Sequence, residues 1–84
     1  INLEYSNHAG YHILRYSVKK DKPGIIYALS KAIFEQVQGN IYGLNSYVHR
    51  NDSAENYIFF ASPLKEEECH NKLENYLNSN YRIV

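Results

Sequence analysis

The chain carries no net charge: nine Lys and Arg balance nine Asp and Glu over 84 residues. A partner held mainly through phosphate neutralisation leaves a basic footprint, so a nucleic-acid partner is not expected. No apolar run approaches the length that crosses a bilayer, and no signal-peptide pattern is read, so no membrane partner is expected. Cysteine is nearly absent. Cys69 stands alone, which excludes an internal disulfide framework and points to a reduced thiol in the cytoplasm. Methionine is missing altogether and the chain starts at Ile1. With a strand-like end at Arg82-Ile83-Val84, these features are expected of one domain cut from a larger protein. A domain this small buries a modest core, and association is a common remedy.

Chemical motifs are equally scarce. There is no Gly-rich phosphate loop, nucleophile elbow or paired Cys–His motif, so no catalytic residue is assigned. His8 and His12 are four apart, but Gly10 lies between them and a strand follows. Cys69 and His70 are neighbours on a helix and point different ways. A zinc site needs about four ligands. Neither a metal nor a cofactor is expected.

What remains is a clear alternation of periods. Residues Ile1–Gly10 read as a tail, a linker or an edge segment. Tyr11–Val18 reads as a strand with Leu14, Tyr16 and Val18 on one face. Pro23–Gln38 switches to three- and four-residue steps, with Ile26, Leu29, Ile33 and Val37 on one helical face widened by Ala28 and Ala32. Pro23 suits the first turn, Asp21 can cap it, and Gly39-Asn40 stops the helix. Asn40–Arg50 is a second strand, with Gly43 marking a bulge or a close backbone approach. Residues 51–56 form a turn, and Tyr57–Ser62 returns as a third strand. A second helix opens at Ser62-Pro63, carries Glu66, Glu67 and Glu68 in its first turns and ends at Asn78–Asn80. Tyr81–Val84 is the expected fourth strand. The order is βαββαβ. Right-handed crossovers give an α+β, ferredoxin-like fold: a four-stranded antiparallel sheet with two helices on one face.

The third strand is apolar on both sides. If Ile58 and Phe60 face the helices, Tyr57 and Phe59 face away, which suggests that the open face or an edge meets another subunit or domain. RNA-recognition motifs share this topology and stack bases on the same strand. The surrounding octet departs from theirs: Glu55-Asn56 stands where a basic residue and a glycine belong, and Ser62 where an aromatic belongs.

The most distinctive stretch is Asp21-Lys22-Pro23-Gly24-Ile25-Ile26. Gly24 lets a backbone or small ligand come close, and open amides at a helix start favour a carboxylate. Asn40 begins its strand at the opposite end of the sheet from that corner. The two ends meet only if two subunits bring unlike ends together.

This stretch, the helix after it and Gly39-Asn40-Ile41 resemble the signature of ACT domains. In these, an acidic or amide residue, a basic residue and Pro-Gly precede two aliphatics and a helix, and Asn-Ile opens the second strand. The resemblance covers residues 11–84, leaving 1–10 as a tail or linker. Gly39 through Phe60 is also similar to the ACT domain of formyltetrahydrofolate deformylases, although Ala61-Ser62 replaces the Met-Arg that often follows Phe-Phe there. The resemblance implies a non-catalytic regulatory module of a larger enzyme or regulator. It would bind an amino acid or similar small ligand at the interface of a homodimer or higher oligomer. Carried over residue by residue, the site comprises Lys19, Asp21, Gly24, Ile25, Asn40 and Ile41. Asp21 stands where an amide is frequent. It accepts from a ligand ammonium and repels its carboxylate, which Lys19 offsets. Ligand would favour one subunit arrangement, and the attached activity would follow. The alternatives are a structural dimerisation domain that binds no ligand, and an RNA-binding module.

Overall fold

The computed structural model describes residues 2–8, 11–20 and 23–81. Six elements follow one another: β1 (Asn2–His8), β2 (Tyr11–Val18), α1 (Ile25–Val37), β3 (Asn40–Val48), β4 (Ala54–Ala61) and α2 (Glu66–Tyr81). The fold is α+β, with two helices on an antiparallel sheet ordered β1-β2-β4-β3.

Burial follows the pleat. His12, Leu14, Tyr16 and Val18 of β2 are buried, as are Ala54, Asn56, Ile58 and Phe60 of β4. Direct partners such as Leu14 and Ile58 share a face, so these two rows form one surface. Leu29, Ala32, Ile33 and Val37 of α1 and Cys69, Leu73 and Leu77 of α2 close over it as a single core. The helices touch each other, α1 lying on the β3 side and α2 on the β1 side.

Three of the four expected strands are present as β2, β3 and β4. The fourth, expected at Tyr81–Val84, is not seen where it was placed. Tyr81 is the last residue of α2, and residues 82–84 lie outside the described residues. The place beside β2 is taken by Asn2–His8, the segment read as a tail, linker or edge. Helix α2 runs through Asn78–Asn80 because asparagine only weakens a helix; no glycine or proline stops it there. It begins at Glu66 rather than at Ser62-Pro63. The Ser62 hydroxyl donates to the Val37 carbonyl at the end of α1 (2.6 Å) and accepts from the Leu64 amide (3.2 Å). One side chain thus ties the end of α1 to the approach to α2.

Strand β4 starts at Ala54, inside the expected turn. Asn56 is buried there because its polar atoms are satisfied across the sheet. Its Oδ1 accepts from Ser46 Oγ (2.8 Å), and its Nδ2 donates to the Tyr16 carbonyl (3.3 Å). Two glycines have steric reasons. A Cβ on Gly39 would collide with Ile33 Cγ2 and lie 3.0 Å from the Phe60 ring, while the left-handed residue ending α1 is Gln38 (φ 54°). Gly43 sits at a bulge between Ile41 and Gly43, with the Phe59 ring 3.1 Å from where its Cβ would be.

Candidate functional site

After Val18 the chain bends through the exposed Lys19 and Lys20. Asp21 and Lys22 lie outside the described residues. Pro23 and Gly24 then turn into α1. Gly24 adopts φ 87°, a left-handed conformation that a residue with a side chain resists. Among the described residues, a Cβ there would meet nothing within 4 Å. The Ala28 amide bonds the Gly24 carbonyl (2.9 Å), so the amides of Ile25, Ile26 and Tyr27 stand ahead of the helical ladder. The cap position is Gly24, and no side chain among the described residues caps it.

Behind this turn lies a cleft of about 150 Å³ between α1, α2 and the sheet. It is lined by Tyr16 of β2, by the exposed Pro23 and Gly24 at its rim, by Ile25, Ala28 and Leu29 of α1, and by Leu77 of α2. Burial pushes the Tyr16 phenol above its ordinary range, which keeps it neutral.

Of the residues singled out in sequence, Gly24 and Ile25 line the cleft, and Lys19 is exposed at the strand end nearby. Asn40 and Ile41 are elsewhere. Asn40 is exposed and shares a row with Ala61 and Tyr11; the corner follows the row Val18, Ala54, Val48. The rows are separated by the length of β2 from residue 11 to residue 18, roughly 23 Å. Ile41 is half-buried against the core. The sequence reading missed Tyr16 and Leu77 as parts of the cleft. Alternation along β2 puts Tyr16 on the inward face, but only the packing of α2 against α1 brings Leu77 beside it.

A second feature lies on the α1 and β3 side. Seven large apolar side chains are exposed among the described residues, and six of them belong to α1 (Tyr27, Phe34) or β3 (Tyr42, Leu44, Tyr47, Val48). Tyr27, Lys31 and Phe34 recur at four and three residues and form the outer stripe of α1. Strand β3 is an edge of the sheet, nine residues long, with no charged residue and no proline. Edge strands are ordinarily protected by lysine, proline, a bulge or a short length, and of these β3 has only the bulge at Gly43.

The sheet face away from the helices carries two aromatic groups. Tyr11 meets Tyr42 edge-on with centroids 5.2 Å apart, and Tyr42 lies 6.4 Å from Phe59. Tyr47 meets Tyr57 at 6.1 Å, and the Arg15 guanidinium lies 6.0 Å from the Tyr57 centroid. Arg15 also donates to Glu55 (2.7 Å), which lies 3.3 Å from His49 Nε2. Hydrogen bonds from Arg15 first, then His49, hold the Glu55 carboxyl below the usual carboxylate range.

Comparison of the chain with family models, curated proteins and solved structures gives no match to any of them. Among the described residues, no three His, Cys, Asp or Glu side chains gather as a metal site, and no helix is long and apolar enough to cross a membrane.

Proposed function

We propose that this chain is a regulatory domain that binds an amino acid or a similar small ligand and acts through pairing of its own copies along β3 and α1. The observation that carries the reading is the row of exposed apolar side chains along the edge strand β3, with Leu44 and Val48 on the helix-facing side of the sheet and Tyr42 and Tyr47 on the other, in a strand without charge or proline. Two β3 strands joined antiparallel about a two-fold axis extend the sheet and satisfy the open backbone groups of both. Such a pair sets the Asn40 end of one copy beside the Val48 end of the other. The Val48 end is the end of the corner. Unlike ends therefore come together, as a site shared by Gly24, Ile25 and a second copy's Asn40 requires. The element order from β2 to α2 fits the ferredoxin-like plan, with β1 standing beside β2 in place of a strand after α2. Ligand bound between copies would favour one arrangement of the pair and so bias whatever is attached to it.

Calorimetric titration with the common amino acids tests the sensing claim, using the chain and its Asn40→Ala variant. Heat from at least one amino acid, lost in the variant without a change in thermal unfolding, is the expected outcome. Association that no amino acid alters would instead mark a domain that only dimerises.

A further inference from the structure

We infer that the ligand of this corner carries an aliphatic side chain of about the size of valine, leucine or isoleucine, seated in the cleft between α1 and α2. The inference rests on the ligand-binding reading above. The cleft carries the argument, and the start of α1 supplies only an anchor for a carboxylate at its rim.

The lining decides the chemistry. None of the described residues lining the cleft is charged, and among them Tyr16 alone has a polar side-chain atom. A carboxylate or ammonium pressed against these side chains would lose hydration and gain no counter-charge from them, and an amide would find too few partners among them. Hydrocarbon faces no such penalty. A cavity of roughly 150 Å³ lined by aliphatic side chains has room for a molecule the size of benzene. The volume here is about the same. It suits a branched side chain of three or four carbons and leaves an alanine methyl loosely held.

The way in and the depth are both set by small residues. No described residue lies within 4 Å of where a Cβ on Gly24 would stand, at the rim. Ala28 forms part of the wall, and a larger residue there would occupy the room the ligand needs. Leu77 lines the cleft from α2, so its truncation enlarges the cleft.

The experiment is calorimetric titration of the chain with L-alanine, valine, leucine, isoleucine, phenylalanine, serine, asparagine, glutamate and lysine. Each added buried carbon contributes about fourfold in affinity. Leucine or isoleucine should therefore bind tens of fold more tightly than alanine, with serine, glutamate and lysine weaker still. Ala28→Leu should cut leucine binding at least tenfold, and Leu77→Ala should move the preference toward phenylalanine. Thermal unfolding without ligand shows whether each variant is folded. If Ala28→Leu does not fold, Leu77→Ala and the wild-type series decide the matter. A polar or charged amino acid binding while the aliphatic ones do not overturns this inference and leaves the ligand-binding reading intact. Leucine binding that a folded Ala28→Leu leaves unchanged also overturns it. Absence of binding by every amino acid overturns both.

Discussion

Gly24 and Asn40 lie at opposite ends of the sheet. Gly24 turns the chain into α1 beyond the Val18 end, whereas Asn40 shares its row with Ala61 and Tyr11 at the other. One copy cannot use both for one small ligand, because the strand between the rows spans roughly 23 Å. This separation ties the ligand proposal to the pairing proposal.

Gly39 should be the most sensitive glycine. Its neighbours are a branched side chain, Ile33, and the Phe60 ring, neither of which can swing away freely. Gly39→Ala is expected to lower stability by about 1–3 kcal/mol, as overpacking does. Gln38→Gly should do the opposite and stabilise by about 0.5–1 kcal/mol, because Gln38 holds a left-handed conformation. Urea unfolding of the two variants checks both signs.

Gly24 poses a different problem. Its φ is left-handed, but no described residue stands within 4 Å of a Cβ placed there, so Gly24→Ala carries a backbone penalty and no clash with those residues. A loss of about 1–2 kcal/mol is expected from that penalty alone. A much larger loss, measured by the same unfolding titration, would mean that the added methyl meets neighbouring atoms at the corner.

Asn56 is the buried polar tie between β2, β3 and β4. Asn56→Ala leaves the Ser46 hydroxyl and the Tyr16 carbonyl without that partner and should destabilise by about 1–3 kcal/mol. Ser46→Ala should cost less, since Ser46 is exposed. A double-mutant cycle should show coupling between the two. Strict additivity would contradict a working Ser46–Asn56 bond.

His12 makes stability pH-dependent. It is buried and stacks on Phe60, with centroids 5.1 Å apart and planes 19° apart. Burial lowers its pKa from 6.5, and the charge of Glu66 opposes the shift in part. The unfolded chain therefore takes up the proton first as pH falls. Above 6.5 both states are neutral and His12 is indifferent to pH; below 6.5 stability declines until the folded state is protonated too. Glu55 titrates lower, since its contribution is present above the usual carboxylate range and is lost only below it. Urea midpoints between pH 7.5 and 5.5 should fall in the wild type, and the fall should be smaller in His12→Phe. Equal declines in the two would assign the effect elsewhere.

Much of the architecture was legible because it is local. The switch from alternation in Tyr11–Val18 to three- and four-residue steps in α1 marks both elements, and Gly43 announced its bulge. The non-local parts were not legible. Asn2–His8 has a mixed, largely polar sequence, and it is a strand because β2 offers it an unpaired edge. Ala54–Asn56 read as a turn because Asn favours turns; Ser46 and the Tyr16 carbonyl, contributed by two other strands, make it strand. Gly39 was read as a helix stop, whereas its small size answers Ile33 and Phe60. At the candidate site, Pro23-Gly24-Ile25 stood out from sequence. The cleft behind them did not, since Tyr16 and Leu77 come from β2 and α2.

The most direct test of the account is sedimentation equilibrium of the chain beside a Leu44→Lys, Val48→Lys variant. Both side chains are exposed on β3, so the substitutions should leave the melting temperature of the isolated fold nearly unchanged. The account predicts a dimer at micromolar concentration for the wild type and a monomer for the variant. A wild-type monomer, or a dimer that the two lysines leave intact, would contradict pairing along β3.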